Sequence, residues 1–217
     1  MLRIGLTGGI ASGKSVVASL LRDREYPVLD ADALTHELLE PGQAVYDEVV
    51  REFGREILAP GGAVDRKKLG AIVFADPQKR KRLEQIIHPR IWEASANWFA
   101  ALNRPGGPEF ATLEAALILE GSSQNKLDRV IVCWCTPQQQ IERLRGRGLS
   151  LAQAQSRIAA QMPIGEKRRL ADDVIDCSRS LEETEQQVVQ LIEKLKDLAK
   201  RGKTQLEHFQ ELCNPVR

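Results

Sequence analysis

The sequence has no C-x-x-C pair, no apolar run near the eighteen or so residues that a membrane-spanning helix needs, and no excess of either charge. Each absence removes a class of protein. The four cysteines, Cys133, Cys135, Cys177 and Cys213, are scattered, with one C-x-C inside an apolar run. That pattern reads as reduced core thiols rather than a disulfide framework or a zinc site. A formal net charge of +1 with 28% charged residues gives no global footprint for nucleic acid or a membrane surface, so electrostatic arguments rest on local clusters. Internal repeats and low-complexity segments are also missing. The opening MLRIGLTGG carries one basic residue and a very short apolar run, unlike a secretory leader, and the expected location is cytoplasmic.

Among 217 residues, enough for one domain or one domain with an insertion, strands alternate with helices at both ends of the chain. Leu2 to Leu6 is a short apolar run that ends in Thr7, Gly8 and Gly9, and Gly13 to Leu21 has helical spacing. Tyr26 to Leu29 leads into Asp30-Ala31-Asp32 and a second helix over Ala33 to Leu39. From Glu40 to about Pro108 helical spacing is interrupted by turn signals at Pro41-Gly42, Pro60-Gly61-Gly62 and Asp76-Pro77, which predicts a helical insertion without strands. Strands resume over Phe110 to Leu119, Arg129 to Cys135 and Asp173 to Asp176. Thr136 with Gln139, Ser150 with Gln153 and Ser180 with Glu183 each have the capping-box spacing, so three helices should begin there. In the last of them Leu181, Val188, Leu191, Leu195 and Leu198 share one packing face. Beyond Gly202 the residues lose that pattern, and a loosely attached polar tail is expected. Such alternation implies a mostly parallel sheet covered on both faces, with ligands at the carboxyl ends of its strands.

The chemistry is concentrated at two of those ends. Gly8-x-x-x-x-Gly13-Lys14-Ser15 is a complete P-loop pattern in the required place, directly after a strand and opening a helix. Its glycines let the backbone curl so that N–H groups from about Ala11 through Ser12 to Val16 surround phosphate oxygens. Lys14 would neutralise the outer phosphates and Ser15 offers a hydroxyl to Mg²⁺. Asp30 and Asp32 follow the second strand; one suits a helix cap and the other a base that deprotonates an acceptor hydroxyl, and position alone does not say which. Three basic clusters occur, Arg66-Lys67-Lys68, Lys79-Arg80-Lys81-Arg82 and Arg143-x-Arg145-x-Arg147. Only the third is interrupted by glycines, at Gly146 and Gly148, as a lid over transferring phosphates would be. His88, before Pro89, reads by default as structural.

Asn125-Lys126-Leu127-Asp128 spells the guanine-reading N-K-x-D signature, yet it precedes a strand instead of following one, and no D-x-x-G occurs in the chain. It is taken as coincidence.

Taken together, LTGGIASGKS, VLDAD, Ile87-His88-Pro89, LEAALILE, RLRGRGLS, RIAAQMP and ADDVID closely resemble the bacterial dephospho-CoA kinase family, in its order and spacing, to about Leu198. The resemblance implies a P-loop kinase fold: a five-stranded parallel sheet flanked by helices, a helical acceptor-binding insertion and an arginine-bearing lid. On this basis residues 1–39 and 110–201 form the nucleotide-binding core with a lid around 143–165. Residues 40–109 bind the acceptor, and 202–217 form the tail. It implies ATP as co-substrate with Mg²⁺, and dephospho-CoA as acceptor at its ribose 3′-hydroxyl, with no nucleic acid or membrane partner. It makes Asp32 the catalytic base, Lys14 and Arg143 catalytic, Gly8, Ala11, Ser12, Gly13, Lys14, Ser15, Val16, Arg143 and Arg147 nucleotide contacts, Ser15 the metal ligand, and His88 and Glu120 acceptor contacts. Four positions depart from the family pattern: Ala116 stands where a proline is usual, Cys177 and Arg179 where an asparagine and a glycine are, and Val16 in place of a common threonine. Two other readings remain at this point, a small P-loop kinase acting on another nucleotide or nucleoside, and a non-catalytic nucleotide-binding switch.

Overall fold

The structure, a computed structural model, describes residues 1–120 and 124–213, without the side chains of 74, 124 and 202–213. Two compact units emerge, one formed by Met1–Leu29 with Leu102–Arg217 and the other by Asp30–Ala101.

The first unit is built on strands whose residues are apolar on both faces, as burial under helices on each side demands. β1 (Leu2–Gly8), β3 (Phe110–Glu114), β4 (Arg129–Trp134) and β5 (Asp173–Asp176) join β2 (Val28–Asp30) in one sheet of order β2-β3-β1-β4-β5. β1 pairs in parallel with β3 (Leu6 opposite Glu114) and with β4 (Gly8 opposite Cys133), and β4 with β5 (Cys133 opposite Ile175). On one face Ile4, Leu6, Phe110, Ile131 and Ile175 pack with Val17 and Leu21 of α1 (Lys14–Arg22) and with Val188, Leu191 and Leu195 of α9 (Leu181–Cys213). On the other, Gly5 admits no side chain, because a Cβ there would lie 2.6 Å from Leu127 Cδ1 and 3.1 Å from Ile118 Cδ1. Both strands that end at the chemistry, β1 and β3, are thus locked side by side in register.

Three differences from the sequence-based expectations stand out. β3 stops at Glu114 instead of running to Leu119, and 116–120 form turns. The apolar run there is buried by the turn's own packing, Ile118 and Leu119 lying in the interior without joining the ladder. α9 holds Val188, Leu191 and Leu195 inside as expected, but Leu181 is exposed at the helix start, and Ile192 and Ala199 fill the buried face. Its backbone also stays helical past Gly202 to Cys213, where a tail was anticipated; residues 214–217 lie outside the described region.

The second unit is helical, as its turn signals indicate. It contains α2 (Ala31–Leu38), α3 (Ala44–Phe53), a 3-10 turn at Arg55–Ile57, α4 (Arg66–Ala75) and most of α5 (Pro77–Leu102), with one isolated bridge between Leu58 and Val64. Aspartates start three of these helices. Asp30, Asp65 and Asp76 each accept two backbone N–H bonds through Oδ1 from the first turn that follows. α2 was assigned to the core by sequence, yet it belongs to this unit, because Leu38 and Leu39 pack with Val45, Val49, Phe53 and Ile57. No helix among the described residues is long and apolar enough to cross a membrane.

Candidate active site

Between β1 and α1 the chain makes the turn that the P-loop pattern requires. Ala11 (φ 59°) and Gly13 (φ 103°) both occupy the left-handed region. Ser12 N–H donates to Gly9 O (3.1 Å), and the Val16 and Val17 N–H groups to Gly13 O (3.0 and 3.2 Å). The N–H groups of Ser12 and Val16, expected to face phosphate, are therefore spent inside the loop. Those of Ala11, Gly13, Lys14 and Ser15 have no partner among the described residues, and they sit at the positive end of α1 where anions bind. Ser12 shapes the loop: its buried hydroxyl lies against Gly8, where a Cβ would come within 2.4 Å of it.

Gly13 cannot be replaced without strain. A Cβ there would lie 2.7 Å from Cys177 Cβ and 2.9 Å from its Sγ, on a backbone that L side chains avoid. Gly13→Ala should lower stability by about 1–3 kcal/mol and weaken nucleotide binding, measured by thermal melting and calorimetric titration. A variant that melts and binds like the parent would show that the loop can relax around the methyl group.

Lys14, the first residue of α1, reaches back along β1 to Glu114 Oε1 at 2.8 Å, and Arg22, one helix turn beyond the buried Val17 and Ala18, holds Oε2 at 3.1 Å. Glu114 closes β3, is 3% exposed, and has one cation on each oxygen. A carboxylate that deep is tolerated because it is paired on both sides. It was missed from sequence, although a lone acid ending the otherwise apolar strand FATLE is a readable signal.

The segment expected to form a lid, 143–165, starts within α6 (Pro137–Gly146), whose capping box at Thr136 and Gln139 is complete. It continues through α7 (Leu151–Ala159), capped by Ser150 and Gln153, to α8 (Ile164–Leu170). Gly148 turns the chain between α6 and α7 at φ 87°. Arg143 is not loose: Nη1 donates to Ala11 O (3.1 Å) and Nη2 to Cys177 O (2.6 Å), so its guanidinium braces the P-loop against the end of β5. Arg147, by contrast, is exposed. Both polar groups of the Ile10 residue are taken by glutamine side chains, its O accepting from Gln140 Nε2 (2.7 Å) and its N–H donating to Gln161 Oε1 (2.7 Å). Lys167 of α8 is fully buried, with Nζ at 2.6 Å from Ala116 O, 2.7 Å from Glu120 Oε1 and 3.3 Å from Gly8 O. Burial pushes its pKa below the ordinary lysine value and nearby Lys14 adds to that, while Glu120 opposes it. Gln140, Gln161 and Lys167 were not singled out from sequence, since glutamines and a lysine within K-R-R look like solvated helix faces.

In the helical unit the two aspartates divide their roles. Asp30 Oδ1 caps α2 through the N–H groups of Asp32 (2.8 Å) and Ala33 (3.2 Å). Asp32 sits in the first turn, exposed, with no hydrogen bond or ion pair to its carboxylate among the described residues. His88 is half-buried in α5 directly before Pro89, which cannot supply the N–H that the helix ladder needs at that point. The N-K-x-D stretch serves the sheet instead of a base: Asp128 accepts from the Arg3 N–H (2.7 Å) and pairs with its guanidinium (2.9 Å). Cys133, Cys135 and Cys177 are free and buried, as expected of core thiols, and burial pushes the Cys133 thiol well up; the Cys213 side chain lies outside the described residues.

A loop with unpaired amides and a lysine, backed by a buried acid on the neighbouring strand and braced by an arginine of α6, is the machinery of a P-loop kinase. ATP is the co-substrate of that class. Residues 2–183 match the dephospho-CoA kinase family, and the chain belongs to it. Relatives match over most of both chains. The dephospho-CoA kinase of Anaeromyxobacter dehalogenans is 49% identical over 174 residues, 80% of this chain and 82% of the relative. That of Symbiobacterium thermophilum is 45% identical over 186 residues, 85% and 77% of the two chains. The structure of the dephospho-CoA kinase from Campylobacter jejuni matches with a TM-score of 0.67 at 26% identity, over 90% of this chain and 97% of that one.

Proposed function

We propose that the protein transfers the γ-phosphoryl group of ATP to the ribose 3′-hydroxyl of dephospho-CoA, giving coenzyme A and ADP in the cytoplasm. The match to the dephospho-CoA kinase family through residues 2–183, spanning the phosphate loop, the helical unit and the lid, carries this reading. The acceptor hydroxyl gives its proton to the Asp32 carboxylate as its oxygen bonds to the γ-phosphorus, and the bond to the bridging oxygen of ADP breaks. The free amides of Ala11, Gly13, Lys14 and Ser15 hold the phosphates in line, and Lys14 neutralises charge on the outer ones. Gly8 gives the loop its close approach, Arg143 holds the loop in place beside the nucleotide, and Arg147 closes on the nucleotide from the lid. His88 serves the acceptor side.

The donor set also suits Mg²⁺. No cluster of three His, Cys, Asp or Glu among the described residues could hold a metal unaided, and Mg²⁺ in such enzymes takes most of its ligands from phosphate and water. Ser15, exposed at the start of α1, would hold it by its hydroxyl. When bound, the ion neutralises charge on the β- and γ-phosphates.

Transfer from radiolabelled ATP, offered to dephospho-CoA and AMP side by side, tests the proposal. Labelled coenzyme A is expected from the first and little product from the second. Preference for AMP would make the protein a nucleotide kinase, and nucleotide binding without any transfer would make it a switch.

A further inference from the structure

Lys167 stands out because it is charged, fully buried and, with its partner Glu120, unused by the chemistry just described. A lysine ammonium has three donors, and all three of Lys167 are matched, by Gly8 O, Ala116 O and Glu120 Oε1. It has no N–H left for a phosphate. The carbonyls it binds are strategic. Gly8 ends β1 and begins the phosphate loop, and Ala116 follows Glu114 by two residues and also accepts from Thr7 Oγ1 (3.1 Å).

Glu120 completes a second set of bonds. Its Oε1 accepts from Met162 N–H (3.1 Å), and the neighbouring Gln161 places Oε1 on Ile10 N–H. The segment where the lid returns to the core is therefore fastened at two adjacent residues, one to the phosphate loop and one to the Lys167–Glu120 pair.

We infer that Lys167 and Glu120 are positioning residues that form one joint, which seats the returning end of the lid, Gln161–Met162, against the phosphate loop, so that nucleotide binding and lid closure are coupled through it. Glu120 thereby acts on the lid and not as the acceptor contact that the family resemblance implies. An ion pair is well suited to such a joint, since two opposite charges at 2.7 Å, one of them without access to water, have a strong preference for one arrangement. Removing either partner leaves the other poorly satisfied and frees the lid segment.

The kinetic part of the test rests on the proposed function; the closure part does not. Lys167→Met, Glu120→Ala and the double variant are made in the full chain. The first readout is protection of the lid bonds after Arg145 and Arg147 from trypsin, with and without a non-hydrolysable ATP analogue. The second is the affinity of that analogue, and the third is kcat and KM with dephospho-CoA. In the parent the analogue should slow cleavage at the lid. In both single variants that protection should fall about tenfold, while analogue affinity changes less than about threefold and KM for dephospho-CoA stays within about threefold. Their kcat should drop about 10–100-fold, and the double variant should be no worse than the poorer single, the non-additivity expected of a single unit. A purely structural role would instead lower the melting temperature and leave ligand-induced protection intact in the folded fraction. Protection retained in folded variants, additive losses, or a KM effect of Glu120→Ala larger than its kcat effect would each overturn the inference. If Lys167→Met does not fold, Glu120→Ala, altered at a partly exposed side chain, decides the matter by protection and kinetics alone. Should the parent make no coenzyme A yet show joint-dependent protection, the proposed function falls and the joint stands.

Discussion

Replacing Asp32 by Asn should lower kcat by about 10²–10⁴-fold, the usual worth of a general base, while KM for ATP moves only a few-fold. The local structure is what makes this a clean experiment. Asp30 already supplies the cap of α2 with Oδ1, so the side chain at 32 carries no bond that holds the helix start. The substitution removes one negative charge from the first turn, which costs about 0.3–1 kcal/mol through the helix dipole and leaves the unit folded. Asp30→Asn makes the matched control, because asparagine caps nearly as well as aspartate and keeps an oxygen for the two N–H bonds. That variant should retain most of its turnover. Steady-state kinetics with melting curves for both proteins would decide it, and an Asp32→Asn enzyme with near-parental kcat would reduce Asp32 to a helix residue and move the base elsewhere.

Much of this arrangement is legible in the sequence, because the relevant signals are local. The P-loop is read from eight residues because glycines, a lysine and a serine at fixed spacing answer one local demand, an amide-lined turn that opens a helix. Capping boxes at Thr136, Ser150 and Ser180 are equally local, and each begins its helix. The division of labour between Asp30 and Asp32 is not readable, since both residues suit either role until the first helical residue is fixed at Ala31. What escapes altogether depends on strand order. Glu114 faces Lys14 because β3 inserts beside β1, a hundred residues away in the chain, and Lys167 becomes buried because α8 returns under the turn at 116–120. A residue's solvation follows from such packing, and the sequence around Lys167, with arginines on its C-terminal side, points the wrong way.

The pairing of Lys14 with Glu114 shapes the other large effect. Lys14→Ala should reduce kcat/KM for ATP by about 10²–10³-fold, raising KM and lowering kcat together, because the same ammonium neutralises phosphate charge in the bound state and in the transition state. It should also destabilise the free protein. Glu114 is 3% exposed, and without Lys14 its Oε1 has lost its cation while Arg22 holds only Oε2; an under-compensated buried charge of this kind costs about 1–3 kcal/mol. The two losses separate in a double variant. Adding Glu114→Gln to Lys14→Ala removes the stranded charge, so the melting temperature should recover most of its drop while kcat/KM stays low. If activity recovered along with stability, the lysine would matter only as the partner of Glu114, and the phosphate would be gripped by the amides alone.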